Sequence, residues 1–316
     1  MTTFADRLVA AWYAPRLEPL AAALVPLAVL YAGAVAARRS FYRLGLLRSS
    51  RVRAPVVVVG NLTAGGSGKT PLAIAIAEAL ASRGWRPGYV SRGYGRRGDA
   101  PRLVAPDDDP DEVGDEPLLL AATGLPVAVG RRRARAAALL LEADPSCNVV
   151  VADDGLQHYA LARDVEIAAI DEARGFGNGW MLPAGPLREP RSRLDEVDAV
   201  VRLVPADAWR ATGRPRKTLM AHEPVRWRNV ADASISHAPA AFRPSSAWAI
   251  AGTAHPARFF DLVRALGIDA RTRAFPDHHR YAAGDLALPD ADAILMTMKD
   301  AVKCARYADR RCWALE

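Results

Sequence analysis

Short apolar runs alternate with amphipathic stretches along most of this chain. Four consecutive valines, 56–59, read as a buried strand, and 71–83 as a helix with small apolar residues for close packing. The alternation continues with a short strand over 86–91, a polar loop over 97–114 and a helix over 116–123. A strand at 126–129, a helix at 131–142, and strands at 148–152 and 165–170 follow. Residues 172–194, rich in Gly, Pro and Arg, form a long loop of the kind that carries an active site. A strand over 197–204 precedes a polar, Pro-interrupted stretch over 206–244. A second alternating run then opens with a strand at 247–251 and a helix at 256–266. Strands alternating with helices predict an α/β fold, a mostly parallel sheet with helices on both faces. The pattern sets the boundaries at 1–53 for an N-terminal segment, 54–205 for the main domain and 206–316 for a smaller C-terminal α/β lobe.

The N-terminal segment breaks the pattern. Residues 19–37 are nineteen positions without a charge, about 28 Å long as one helix and close to the ~30 Å of a bilayer core. They are rich in Ala and include Pro26, so as a span they are marginal. Eight Arg stand against Asp6 and Glu18 in residues 1–53, which hold six of the seven net positive charges of the whole chain. Arg38 and Arg39 follow the apolar run at once and oppose export through a cleaved leader. The expectation is a helix inserted in, or lying on, a membrane, with its arginines on anionic cytoplasmic lipid. A core helix of the main domain is the alternative.

Charge confined in this way is not the footprint of a nucleic-acid-binding domain. Cys147, Cys304 and Cys312 show no metal or disulfide spacing and fit a reducing compartment as apolar fillers.

Chemistry enters at the junction of the first strand and helix. Gly60-Asn61-Leu62-Thr63-Ala64-Gly65-Gly66-Ser67-Gly68-Lys69-Thr70 is a glycine-rich loop between strand and helix, the context of a phosphate-binding loop and of a P-loop NTPase-like sheet. Backbone N–H groups of Gly65, Gly66, Ser67 and Gly68 would face phosphate oxygens. Lys69 would reach the β- and γ-phosphates and the Thr70 hydroxyl would bind Mg²⁺. The strict pattern places Gly where Thr63 stands. Of 42 basic residues only Lys69, Lys217, Lys299 and Lys303 are Lys, so a Lys at the loop's end marks a need for a compact ammonium.

Asp153-Asp154 end a predicted strand, where a phosphate-loop site keeps its metal-holding carboxylate. In Gly114-Asp115-Glu116-Pro117, spacing leaves two uses of Asp115 open, a helix N-cap and a catalytic carboxylate. His278, in Phe275-Pro276-Asp277-His278-His279-Arg280, is a candidate proton acceptor or orienter. Arg92, Arg96, Arg131–Arg133, Arg188, Arg191 and Arg193 lie in or beside predicted loops and suit an acidic substrate.

These motifs, in this order, resemble the tetraacyldisaccharide 4'-kinase family. The resemblance runs through the loop from Gly60, Ser91-Arg92-Gly93-Tyr94-Gly95, Gly114-Asp115-Glu116-Pro117 and Asp153-Asp154-Gly155-Leu156-Gln157-His158. It continues through Gly185-Pro186-Leu187-Arg188-Glu189-Pro190, Pro256-Ala257-Arg258-Phe259-Phe260, Asp277-His278-His279 and Lys299-Asp300-Ala301-Val302-Lys303. It implies transfer of the ATP γ-phosphate to the 4'-hydroxyl of a tetraacylated glucosamine disaccharide 1-phosphate, a glycolipid, at the cytoplasmic face of the inner membrane. It further implies that Asp115 activates the sugar hydroxyl and that His278 orients it from the other lobe. Lys69 and Thr70 would handle phosphates and Mg²⁺, with Asp153, Asp154 and Glu116 around the metal. Arg133, Arg188, Glu189 and Tyr94 would position phosphate or substrate. The family usually has Thr-Glu-Lys-Asp where this chain has Thr297-Met298-Lys299-Asp300. The rival reading is a membrane-docked nucleotide switch acting on a protein partner, which would need no His278.

Overall fold

A computed structural model of the chain describes residues 4–211 and 219–316; Lys217 lies outside them. The chain opens with helices α1 (Phe4–Trp12), α2 (Pro19–Ala23) and α3 (Val25–Arg43). It continues through β1 (Val56–Gly60), α4 (Lys69–Ala81), β2 (Pro87–Ser91), β3 (Arg102–Leu103), α5 (Pro110–Val113) and α6 (Asp115–Ala121). Next come β4 (Val127–Val129), α7 (Arg133–Ala143), β5 (Val149–Asp153), β6 (Val165–Asp171), β7 (Ala199–Leu203), α8 (Ala206–Ala211) and β8 (Leu219–Met220). The last third holds β9 (Trp227–Asn229), β10 (Ser236–His237), β11 (Ala247–Ala251), α9 (Pro256–Ala265), β12 (Ala270–Ala274), β13 (Ala293–Thr297), α10 (Met298–Cys304) and β14 (Cys312–Leu315).

Two compact units result. The first comprises Met1–Gly93, Gly98–Ala105 and Thr123–His222; the second comprises Tyr94–Arg97, Pro106–Ala122 and Glu223–Glu316. This grouping differs from a division in sequence order. Residues 1–53 belong to the first unit. Its sheet runs on to β8, beyond the expected boundary at 205. Residues 106–122, with Asp115, belong with the C-terminal lobe.

The first unit is an eight-stranded sheet in the order β3-β4-β2-β5-β1-β6-β7-β8. All neighbours are parallel except β3 on β4. Every position of β2 and β5 is buried, so both faces of the sheet centre are covered, as parallel strands require. Val58, Val90, Leu140, Val150, Ala152 and Leu156 share one core cluster. Leu140 on α7 is fully buried against the backbone of Gly88, where an added Cβ would come within 2.8 Å of its Cδ2. Leu140→Ala should therefore destabilise this unit by about 2–5 kcal/mol, read as a lowered thermal midpoint; an unchanged midpoint would show that the packing at Leu140 is slack.

The predicted single N-terminal helix is two. The break falls at Leu24, and Pro26 thereby sits in the first turn of α3, where its missing N–H costs no hydrogen bond. Helix α3 then runs past Ala37 to Arg43. No helix among the described residues is long and apolar enough to cross a membrane. The segment is tied to the loop after β6: Trp12 Nε1 donates to Pro183 O at 2.8 Å, and Asn178 N to Trp12 O at 2.7 Å. Arg39 and Arg43 pair with Glu196 at 2.7 and 2.5 Å. Leu27, Leu30, Phe41, Leu44 and Leu46 nevertheless remain exposed on it.

The second unit is a six-stranded sheet, β10-β9-β14-β13-β11-β12. Strands β14, β13, β11 and β12 are parallel, and β9 is antiparallel to both its neighbours. Apolar clusters around Ile250, Ile294 and Met296, and around Trp227, Phe259 and Leu295, fill it. Helices α6 and α10 pack against one another. The stretch 97–114, expected as loop, contains β3 and α5. Asp109 caps α5 by accepting from Asp111 N at 2.8 Å, with Pro110 at the first helical position.

Candidate active site

In the first unit, β1 delivers the chain into the loop and α4 begins at Lys69, with Gly68 as its N-cap. Gly65 and Gly68 have φ of +100° and +74°, values that L side chains rarely adopt. Thr63 is not among the positive-φ residues, so the departure from the strict glycine pattern carries no backbone cost. The loop is held from within by Asn61, whose Nδ2 donates to Thr63 O at 2.8 Å. It is held from outside by Ala64 N to Pro186 O and Arg188 N to Leu62 O, both 2.7 Å. Lys69 and Thr70 are buried at the helix start.

Thr70 Oγ1 donates to Asp153 Oδ2 at 2.9 Å. Asp153 is the last residue of β5, opposite Val59 in the neighbouring strand, and is fully buried. Asp154 follows with a left-handed φ of +50°, which turns its carboxylate toward Arg188; Arg188 Nη1 donates to Asp154 Oδ1 at 2.8 Å. Burial alone would raise the Asp154 carboxyl. The Lys69 ammonium, then Arg188 and Arg133, outweigh it and hold the group below its ordinary value. Arg133, the first residue of α7 and buried, donates from its guanidinium to Asp154 O at 3.4 Å and Gly130 O at 3.3 Å. Its backbone N donates to His158 Nε2. Burial, with Arg133 and Arg163 nearby, pushes that imidazole down to about 4, so it is neutral and able to accept.

Glu189 is buried at 1% exposure. It accepts from the Tyr159 hydroxyl and from Gln157 Nε2, with Arg39 of α3 and Arg193 each at 4.0 Å. The carboxylate expected to position substrate thus also ties α3 to the loop that follows β6.

In the second unit Asp115 is the first residue of α6, and Gly114 occupies the N-cap. The open alternative of a capping role is closed. His278 has φ +58°, and its Nδ1 lies 2.9 Å from Asp115 Oδ2. Burial alone would raise the Asp115 carboxyl, but the His278 hydrogen bond and charge, Lys299 and Lys303 together lower it. An ionised carboxylate only accepts, so His278 Nδ1 carries the proton. Tyr94 is exposed, its ring 5.2 Å from that of His278. Lys299 Nζ contacts Asp277 Oδ1 at 3.1 Å, which steadies the segment before His278. The expectation that Asp115 and His278 come from different lobes is corrected: both belong to the second unit, because residues 106–122 group with the C-terminal lobe.

The first unit brings together Lys69, Thr70, Asp153, Asp154, Arg133 and Arg188. The second holds Asp115, Glu116, His278 and Tyr94.

Residues 20–316 match the family described as tetraacyldisaccharide-1-P 4'-kinase. The chain belongs to that family. It is 49% identical over 302 residues to the tetraacyldisaccharide 4'-kinase of Dechloromonas aromatica, covering 95% of this chain and 89% of that protein. It is 52% identical over 296 residues to that of Alkalilimnicola ehrlichii, covering 93% and 86%. The crystal structure of "apo" form LpxK from Aquifex aeolicus in complex with ATP is similar at a TM-score of 0.76. There the identity is 28%, over 94% of this chain and 93% of that one.

Asn61, Gln157 and His158 were not assigned roles by sequence reasoning. Gln157 Nε2 donates to Asn61 O at 3.0 Å, so the segment after Asp154 braces the phosphate loop. The signal was present in Gly155-Leu156-Gln157-His158, a run unlike a surface turn, but nothing in it named its partner 96 residues away.

Proposed function

We propose that the chain is an ATP-dependent kinase that phosphorylates the 4'-hydroxyl of a tetraacyldisaccharide 1-phosphate, a step of lipid A biosynthesis. The observation that carries this over a nucleotide switch is the 2.9 Å pairing of Asp115 with His278. A switch has no use for a carboxylate–imidazole pair, whereas an acceptor hydroxyl needs a group to take its proton.

The residues present fit the nucleotide. The Ser67 hydroxyl is buried in the loop with no hydrogen-bond partner among the described residues, the kind of group that a phosphate oxygen satisfies. They also fit Mg²⁺. Thr70 and Asp153, with Asp154 beside them, form an all-oxygen set, and this ion takes few protein ligands and keeps waters and phosphate oxygens. Among the described residues there is no cluster of three or more His, Cys, Asp or Glu able to hold a metal, and Glu116 lies in the other unit. Mg²⁺, when bound, would neutralise charge on the transferring phosphoryl group.

On this reading Lys69 and the loop N–H groups stabilise phosphate charge. Thr70, Asp153 and Asp154 hold the cation. Asp115 accepts the hydroxyl proton while His278, donating from Nδ1, fixes its carboxylate. Arg133, Arg188, Glu189 and Tyr94 shape the surroundings of phosphate and sugar. Substrate acyl chains call for a membrane partner, and the exposed apolar residues of α3 with the arginines of its last turns support docking on the cytoplasmic face of the inner membrane. Leu27→Glu with Leu30→Glu should weaken binding to anionic vesicles by at least about ten-fold, read by cosedimentation. Undiminished binding would reject this surface.

The test of the function is label transfer from γ-labelled ATP, with Mg²⁺ and detergent, to a tetraacyl disaccharide 1-phosphate. Labelled bis-phosphorylated lipid is expected. ATP binding with no labelled lipid would overturn the reading.

A further inference from the structure

Helix α10 carries a buried ion pair that the assigned roles do not use. Asp300 is fully buried and Lys303 is 6% exposed; Lys303 Nζ lies 2.9 Å from Asp300 Oδ1. Thr297 Oγ1 donates to Asp300 Oδ2 at 2.7 Å, and Gly252 N lies 3.2 Å from both carboxylate oxygens. The Asp300 carboxylate is therefore saturated and fixed. Lys303 Nζ also donates to Gly252 O at 3.4 Å and stands 5.1 Å from the centre of the Tyr281 ring. Gly252 is closely packed here, since a Cβ would come within 3.0 Å of Tyr281 Oη and 3.2 Å of Asp300 Oδ1. The ammonium is held on every side by its own unit.

Its remaining neighbour is Asp115 Oδ2, at 4.0 Å, the same oxygen that His278 Nδ1 contacts at 2.9 Å. Both of these contacts are made by Oδ2. One oxygen faces an imidazole at 2.9 Å and an ammonium at 4.0 Å, and neither of these contacts uses the other oxygen.

Stability alone does not account for a buried pair. Replacing both charges by apolar groups of similar volume is often neutral or favourable, whereas removing one leaves an unpaired buried charge. A chain that uses Arg almost everywhere keeps Lys here, and a compact ammonium and a planar fork are not interchangeable at such a site.

We propose that Lys303, locked by Asp300, is a positioning residue for Asp115: it pins Oδ2 beside His278 so that Oδ1 faces the acceptor hydroxyl. The inference rests on the reading of Asp115 as the group that accepts that proton. Lys303→Met together with Asp300→Asn removes the pair without leaving a buried charge. The full chain is assayed for label transfer, with kcat, both KM values and ATP binding measured. The expected result is a kcat about 100-fold lower, the scale of a misplacement near 1 Å, with both KM values and ATP binding within about three-fold. Lys303→Arg should not restore the rate. In an Asp115→Asn background the double change should cost nothing more.

If Lys303 only neutralises Asp300, Lys303→Met alone is slow but the double variant regains the wild-type rate, and the proposal fails. A further loss on top of Asp115→Asn also overturns it. If Asp115→Asn itself keeps the wild-type rate, the reading of Asp115 fails instead, a result separate from either outcome at Lys303.

Discussion

Lys69→Ala is expected to lower phosphoryl transfer by about three to four orders of magnitude, the range of losing a main charge from a phosphoryl-transfer site. The side chain starts α4, is 7% exposed and follows a left-handed Gly68 that aims the helix N-terminus. An added Cβ at Gly68 would come within 3.0 Å of Leu203 Cδ2 and 3.3 Å of Met220 Cε, so the loop packs closely on the wall behind it. Lys69→Arg should not rescue, because a planar fork cannot replace a compact ammonium in that space. The change has a second effect. Lys69 leads the charges that hold the Asp154 carboxyl below its ordinary 3.8 against burial. A depressed carboxyl contributes stability that is complete above its unfolded value and is lost as pH falls through the folded one. Without Lys69 that contribution shrinks, so the variant should be less stable at neutral pH, and the difference from wild type should narrow as pH falls through the lowered value. Single-turnover transfer at saturating ATP, with ATP affinity measured separately, checks the main claim. A rate within ten-fold of wild type would remove Lys69 from its role.

The central elements were legible because each has a local cause. The valines of 56–59 and the glycines after them are a strand and a loop on any reading. The Asp153-Asp154 doublet, at the end of an apolar run, points to its own place at a strand end. Elements that depend on a partner were not legible. Strand β3 is two residues, Arg102–Leu103, stabilised by pairing with Val129 and Ala128, and nothing in its own composition signals a strand. The N-terminal helix break was misread because a proline inside an apolar run was weighed against membrane length and not as the first turn of a second helix. Asp115 was assigned by sequence order to the first lobe. The packing of α6 on α10, nearly 180 residues later in the chain, places it with His278, and such pairing leaves no trace in local spacing. The candidate residues could be picked out one by one; how the fold groups them could not.

Asp115→Asn is expected to cut kcat by about three orders of magnitude, within the range of removing a positioned general base, while ATP affinity stays within about three-fold. The substitution keeps size and helix position, since Asp115 is not the N-cap of α6. It removes the negative charge and the proton-accepting capacity, and it can set an amide N–H against the Nδ1–H of His278, a donor facing a donor. The wild-type carboxyl lies below its ordinary value: burial works against this, but the His278 hydrogen bond and charge, Lys299 and Lys303 prevail. It is thus ionised throughout the neutral range, and activity should fall on the acid side only as pH descends toward that lowered value. A weakly basic carboxylate suffices because the transition state of phosphoryl transfer is loose and asks for a proton late; orientation by His278 then matters more than basicity. His278→Ala should accordingly lower kcat less than Asp115→Asn and add little to it in the double variant, since the imidazole acts through the carboxylate. The deciding measurement is the kcat of the two single variants and the double, beside ATP affinity by titration. Were ATP affinity to fall in step with the rate in Asp115→Asn, the carboxylate would belong to nucleotide or metal binding, and the proton would have to leave the sugar by another route.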